Sequence, residues 1–268
     1  MVSIDSAAAL DSARLIACLG ADASAFALDL RPTCASTNAE LLALAPSAPA
    51  GVIPVLACDR QHAGRGRRGR AWLAWPGASL TFSALWRFPA GAPVPAGLSL
   101  VAGVAVARTL EQLGVAGVEL KWPNDIQVHG RKLGGILVEL SGGREVAAVV
   151  GIGINLSLPP GAEVPGRTDV SALDQLIDTP PAPERLLAEL LRTQRALFDT
   201  YTSAGFPAFA GAWNQRNAHA DLPVRVSGEQ IELSGVCLGV DADGALLLRT
   251  DTGVQRVLAG DVSLRGAS

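Results

Sequence analysis

The chain has 268 residues and a net charge of −3, and 49% of its residues are hydrophobic. That length accommodates one large and one small domain, and that hydrophobic fraction excludes a disordered chain. The acidic balance excludes a basic footprint spread over a whole face, so any anion-binding group has to be local.

The N-terminus lacks the basic start and apolar run of a signal peptide. The most apolar stretches, residues 101–107 and 146–158, are too short to span a bilayer or are broken by glycines and Asn155. Cys18, Cys34, Cys58 and Cys237 lie far apart without metal-ligand spacing, which reads as packing cysteines in a reducing compartment. His62, His129 and His219 show no metal spacing either. A soluble, cytoplasmic protein with no membrane partner is expected.

Apolar positions at Ala9, Leu10, Ala13, Ile16 and Ala17 predict a helix over 5–19, stopped at Gly20. Phe26, Leu28 and Leu30 alternate as a strand that should end at Arg31-Pro32. Ser36-Thr37-Asn38-Ala39-Glu40 carries helix-start residues ahead of Leu41, Leu42 and Leu44. Residues 52–58 read as a buried strand. Leu80, Phe82, Ala84 and Trp86 alternate as another, and a long apolar helix follows over 97–113, stopped by Gly114. Strands are predicted at 118–121, 126–128, 133–140 and 146–155, with turns at Pro123-Asn124-Asp125, His129-Gly130 and Ser141-Gly142-Gly143. Helices follow over 184–202 and 206–215. Strands grouped in this way, with helices packed on one side, indicate an α+β fold, with the larger domain over 1–219. After Ala220 the pattern changes to short strands at 222–226, 231–240, 245–248 and 254–258, separated by Asp243-Gly244 and Thr252-Gly253. A small β-barrel over 220–268 fits that spacing.

Four constellations carry candidate chemistry. In Gln61-His62-Ala63-Gly64-Arg65-Gly66-Arg67-Arg68-Gly69-Arg70-Ala71-Trp72, arginine forks suited to carboxylate and phosphate alternate with glycines that let backbone approach a ligand. Such a loop closes over an anionic small molecule or binds nucleic-acid phosphates. Within it, Arg68 and Arg70 are expected to anchor the loop, leaving Gln61, Arg65 and Arg67 for the ligand. Lys121-Trp122-Pro123-Asn124-Asp125 is by itself an ordinary turn. A hairpin over 126–133 would nevertheless return Lys132 to it, gathering two lysines and a carboxylate that could hold Mg²⁺ and polyphosphate. Gly134-Gly135 would let that strand pass close to a ligand. Gly151-Ile152-Gly153-Ile154-Asn155 is either a strand packed tightly on a helix or a wall for a flat ring, with Asn155 reaching ligand hydroxyls or phosphate. Ser36-Thr37-Asn38 caps a helix, and its free N–H groups could also meet a carboxylate or a polar ring. No nucleophile elbow and no Walker-type phosphate loop is present in the sequence.

Taken together and in this order, these motifs resemble the biotin–protein ligases. The resemblance runs over residues 34–158 and includes Arg131-Lys132-Leu133-Gly134-Gly135-Ile136-Leu137-Val138-Glu139. The family implies a mixed α/β catalytic domain followed by an SH3-like barrel. It implies biotin contacts at Ser36, Thr37, Asn38, Gln61, Arg65, Gly66, Arg67, Lys132 and Gly134. ATP contacts are implied at Arg65, Lys121, Trp122, Asn124, Lys132 and Asn155, with Asp125 on Mg²⁺. Lys132, Arg67, Asp125 and Lys121 would carry the chemistry, and Asp125 is the candidate base. ATP and Mg²⁺ are the implied cofactors. The implied partner is a biotin carboxyl carrier protein, with the enzyme a monomer or homodimer. Many bacterial members carry an N-terminal DNA-binding domain, for which the segment before the first strand is too short, so no DNA binding is expected. A lipoate or octanoate ligase on the same fold is the nearest alternative.

Overall fold

The computed structural model describes residues 10–89, 91–92, 94–141, 146–161, 169–228, 232–259 and 262–266. The first part of the predicted N-terminal helix, the Gly142-Gly143 turn and Ile231 lie outside the described residues.

A seven-stranded mixed sheet forms the larger part, in the order β1-β2-β3-β7-β6-β5-β4. Its strands are β1 Phe26–Cys34, β2 Ile53–Gln61, β3 Ser79–Phe88, β4 Val118–Lys121, β5 Asp125–Val128, β6 Arg131–Ser141 and β7 Val146–Asn155. The β1–β2 pair is parallel and the others are antiparallel. Among the described residues five α-helices accompany the strands: α1 Ser12–Leu19, α2 Thr37–Leu44, α3 Leu98–Gln112, α4 Pro183–Ala204 and α5 Pro207–Asn214.

Strand periodicity divides the sheet into two faces with different tasks. Phe82, Ala84 and Trp86 of β3 and Ala148, Val150, Ile152 and Ile154 of β7 join one core with the buried residues of α1, α3, α4 and α5. Helix α3 is buried almost all round, as a helix sandwiched between a sheet and further helices must be. The alternate residues Leu85 and Val149 face the other way, into a small cluster with Leu41 and Ala45 at α2. The prediction of helices on one side is corrected here, because α2 covers part of the opposite face.

Strand β1 runs on past Arg31-Pro32, where the sequence predicts its end. It is the edge strand, and Pro32 falls at the position skipped in its register with β2, so the missing N–H costs no ladder bond.

The C-terminal strands β8 Pro223–Gly228, β9 Glu232–Val240, β10 Leu246–Thr250, β11 Gly253–Val257 and β12 Val262–Gly266 form a five-stranded antiparallel sheet. Val224, Val226, Cys237, Leu246, Leu248 and Leu264 make its buried interior, and opposite Leu247 and Leu248 the register skips Leu238, a bulge in β9. Sequence reading finds four of these strands and misses β12, whose only apolar residues are Val262 and Leu264.

Three sets of hydrogen bonds tie this barrel and its linker to the larger part of the chain. Asn214 at the end of α5 exchanges two hydrogen bonds with Val240, at 3.2 and 2.9 Å. Leu120 pairs with the linker through Arg216 O and Ala218 N, at 2.6 and 3.0 Å. The Trp122 indole donates to Gly244 O at 3.1 Å. Just beyond, the Nδ1 atom of His219 is buried without a hydrogen-bond partner among the described residues. Burial, then the charge of Lys121, holds its pKa below the usual 6.5. A depressed histidine pKa adds nothing above the unfolded value; below it the unfolded chain takes up the proton first, so stability falls with pH. The thermal midpoint should therefore drop as pH is taken from about one unit above to about one unit below 6.5, and drop less in His219→Gln. Equal pH dependence in the two proteins would show that His219 is not the group responsible.

Candidate active site

On the face that α2 leaves open, β3 and β7 lose their large side chains in register. Along β3 the residues facing this side run Leu85, Ser83, Thr81, Ser79; opposite them on β7 run Val149, Gly151, Gly153, Asn155. The apolar end lies under α2, and the small, polar end floors a cavity of about 800 Å³. The arginine loop, the Lys121–Asp125 turn and the start of β6 wall that cavity.

Ser36, Thr37 and Asn38 enter it as the first turn of α2, with Ser36 Oγ accepting from Ala39 N at 3.4 Å as the cap. All three are buried and held by a polar network. Gln61 Oε1 accepts from Thr37 N at 2.8 Å and from Thr37 Oγ1 at 3.2 Å, which orients the Gln61 amide with Nε2 left to donate. Ser83 Oγ lies 2.7 Å from Thr37 Oγ1 and 2.6 Å from Asn38 Oδ1. Asn38 Nδ2 donates to Leu137 O at 3.2 Å and to Glu139 Oε2 at 2.9 Å. The pocket floor therefore has donors and acceptors already aimed.

The arginine loop is a narrow hairpin. Arg65 bridges Ala71, Gly66 N donates to Arg70 O at 2.7 Å, and Trp72 N donates to Gly64 O at 2.9 Å. Gly69 at its tip has φ +66°, and Arg68 takes the left-handed conformation too, at φ 58°. Arg65 pairs with Glu139 at 3.2 Å and Arg67 Nη1 reaches Asn124 Oδ1 at 3.5 Å, so the loop bends over the cavity from β6 to the Lys121–Asp125 turn. The backbone of Arg70 closes the hairpin, while the side chains of Arg68 and Arg70 are exposed at the cavity rim.

The β7 glycines have separate tasks. A Cβ on Gly151 would meet Asn38 Oδ1 at 2.1 Å, and one on Gly153 would meet the Trp72 ring at 2.1 Å. The flat ring that this wall receives is thus the chain's own Trp72, whose Nε1 also lies 3.4 Å from Thr81 Oγ1.

At the other end the β4–β5 turn pairs Lys121 with Asp125, and the β5–β6 hairpin returns Lys132 to it, as the sequence predicts. Lys132 Nζ lies 2.5 Å from Asp125 Oδ1, and both side chains are largely buried, 17% and 12% exposed. Asn124 is fixed on β6 by Ile136 N and Ile136 O. Segment 169–171 runs beside Lys132 through Asp169 O and Ser171 N, and Asn155 Nδ2 anchors it at Ser171 O, 2.9 Å away.

One predicted contact sits elsewhere. Gly134 does not line the cavity: it turns to the opposite face from Gly135, and a Cβ there would strike Gly153 O at 2.5 Å. Its missing side chain serves the close approach of β6 and β7. Trp122 does border the cavity, although it is 1% exposed and its indole N–H donates to Gly244 O of the barrel. Sequence reading assigns no role to Ser83, Thr81, Glu139, Asp169 or Arg265. The last belongs to β12, which reaches the cavity rim. Only their alternation with core residues marks the first two.

A family model described as biotin/lipoate A/B protein ligase matches residues 37–155, and one described as the biotin protein ligase C-terminal domain matches residues 223–265. A biotin–[acetyl-CoA-carboxylase] ligase of Paracoccus denitrificans is 40% identical over 240 residues, 86% of this chain and 98% of that protein. The chain belongs to the biotin protein ligase family. The ligase of the same name from Mycobacterium tuberculosis is 35% identical over 91% of each chain. The bifunctional ligase/repressor BirA of Escherichia coli is 36% identical over 78% of this chain, and the match spans 65% of that longer relative. A biotin protein ligase from Aquifex aeolicus, solved with biotin and ATP, superposes with a TM-score of 0.75 at 27% identity, over 90% of this chain and 99% of that one.

The packing of Trp72 on β7 is directly testable. Gly153→Ala should lower the thermal midpoint by several degrees and alter the indole fluorescence. Gly211→Ala, where a Cβ meets open space, should do neither. A Gly153→Ala protein with the parent's midpoint and spectrum would contradict this account of the wall.

Proposed function

We propose that the chain is an ATP-dependent ligase that activates biotin as biotinyl-5′-AMP and transfers the biotinyl group to a lysine of a biotin carboxyl carrier protein. The observation that carries this reading is one cavity with an oriented amide-and-hydroxyl pocket at one end and the Lys132–Asp125 pair at the other, under a loop of arginines. The names of the relatives support the substrate, and the biotin and ATP bound to the Aquifex protein support both ligands.

In the first half-reaction a carboxylate oxygen of biotin bonds to the α-phosphorus of ATP and pyrophosphate leaves. Two anions must meet, so fixed cations have to offset their repulsion. We assign Lys132 to the biotin carboxylate and the α-phosphate, Arg65 and Arg67 to the adenylate, and Lys121 with Asn124 to the nucleotide. Biotin's ring belongs in the pocket of Ser36, Thr37, Asn38 and Gln61. Asp125, which lines the cavity, is the carboxylate that would hold Mg²⁺ there; among the described residues no cluster of three metal-ligating side chains occurs. When bound, that ion neutralises phosphate charge.

In the second half-reaction the carrier's lysine amine bonds to the acyl carbon, AMP leaves, and the amine loses a proton. Asp125 is engaged with Lys132 in this structure, so we assign it to holding that lysine and the metal rather than to receiving this proton. The mixed anhydride hydrolyses in water, and a hairpin bent over the cavity excludes it. The reading places the enzyme in the cytoplasm as a monomer or homodimer. The net charge of −3 supports a reading without DNA.

The matching family description also covers lipoate ligases, but the C-terminal match, residues 223–265, is to a biotin ligase domain. Biotin with ATP should raise the thermal midpoint and lipoate with ATP should not. Lys132→Ala should retain the parent's fold yet lose at least ~100-fold in biotin-dependent exchange of pyrophosphate into ATP. Near-normal exchange by that variant would remove Lys132 from the reaction.

A further inference from the structure

Glu139 does not line the cavity, yet it touches two parts of the site that are otherwise separate. It lies on β6 opposite Val149, on the sheet face shared by α2 and the cavity floor. A single oxygen, Oε2, accepts from Asn38 Nδ2 at 2.9 Å and from Arg65 Nη2 at 3.2 Å. Asn38 belongs to the ring pocket and Arg65 to the hairpin over the cavity. We propose that Glu139 is a positioning residue that fixes the hydrogen-bonding sense of the pocket and couples its occupancy to closure of the arginine loop. The proposal rests on the ligase reading above and deepens it.

The first half of the claim is an inventory of hydrogens. An asparagine amide has two N–H donors and one carbonyl oxygen. In Asn38 one donor goes to Leu137 O and the other to Glu139, while Oδ1 faces Ser83 Oγ. What Asn38 has left for a ligand is a lone pair on Oδ1, so it accepts and cannot donate. Gln61 has the opposite bias, its Oε1 being taken by Thr37. The pocket is thereby set for a flat ligand that presents an N–H to Asn38 and an acceptor to Gln61. Removing the Glu139 carboxylate leaves a buried amide hydrogen unpaired and weakens the reason for Asn38 to keep that orientation.

The second half concerns the loop. The Arg65–Glu139 pair is partly exposed, 46% and 27%, so it is a weak contact by itself. That suits a loop that has to open for each turnover. A ligand that pins Asn38 also pins the carboxylate Asn38 donates to, and a carboxylate already fixed costs less entropy to bind Arg65. Ligand in the ring pocket and a closed loop then favour one another, and the same coupling slows escape of the adenylate.

Two substitutions separate the halves. Glu139→Gln keeps an oxygen for Asn38 and removes the charge for Arg65. It should release preformed biotinyl-AMP about tenfold faster while the KM for biotin moves less than about twofold. Glu139→Ala removes both contacts and should raise the KM for biotin about fivefold or more as well, with the KM for ATP little affected. Adding Arg65→Gln to Glu139→Gln should accelerate release no further than Arg65→Gln alone, since the two act through each other. If Glu139→Ala does not fold, Glu139→Gln and its double variant still decide the matter. Parent-like adenylate release in Glu139→Gln, or additive effects in the double variant, would overturn the proposal. A parent protein that makes no biotinyl-AMP would instead overturn the ligase reading itself.

Discussion

The site exists because one face of two paired strands changes character along its length. Leu85 and Val149 face each other under α2, and the next pairs on that face are Ser83 with Gly151, Thr81 with Gly153, and Ser79 with Asn155. The opposite face of the same strands stays apolar throughout, with Phe82, Ala84, Ile152 and Ile154 in the main core. One β-ladder therefore stabilises the domain with its inner face and floors a cavity with its outer one. The outer face can do so only while Gly151 and Gly153 lack side chains. Asn38 and Trp72 occupy the places where those side chains would be.

Charge is arranged around that floor with similar economy. The cavity is lined by Arg65, Arg67, Arg68, Arg70, Lys121 and Lys132 in a chain whose net charge is −3. The pairs Lys132–Asp125 and Arg65–Glu139 offset part of that positive charge and give the cations defined positions. Preorganised cations of this kind stabilise charge developing in a transition state without having to reorient at the moment of reaction. The barrel takes part as well. Trp122 donates to Gly244 from within the turn that carries Lys121, Asn124 and Asp125, and Ser99 Oγ holds Pro123 O from the first turn of α3 at 3.1 Å.

Much of this is legible in the sequence, and the losses have physical causes. The alternation at Leu80, Phe82, Ala84 and Trp86 reports the core face of β3 and says nothing of Ser83 and Thr81 between them, because a polar residue on the outer face of a strand normally faces water. Glycine pairs advertise a close approach without naming what approaches. Gly134 meets the Gly153 carbonyl, and Gly153 meets Trp72. Trp122 borders the cavity and at the same time donates its indole N–H to the barrel at Gly244, a long-range contact that the turn sequence does not reveal. Pro32 looks like a strand end unless the strand is known to lie at an edge. Glu139 and Asp169 reach the site only through tertiary packing, which no local pattern encodes. The Lys132–Asp125 contact, by contrast, follows from hairpin geometry, because a short β5–β6 return sets residue 132 opposite residue 127, two residues from Asp125 on the same face.

The central claim is that this cavity activates biotin for transfer to a protein lysine. Mass spectrometry of a purified biotin carrier domain, incubated with the protein, ATP, Mg²⁺ and biotin, tests it most directly. The account predicts a single biotinyl addition on one lysine of the carrier, dependent on ATP and lost with Lys132→Ala. An unmodified carrier under conditions where the folded protein binds biotin and ATP would contradict it.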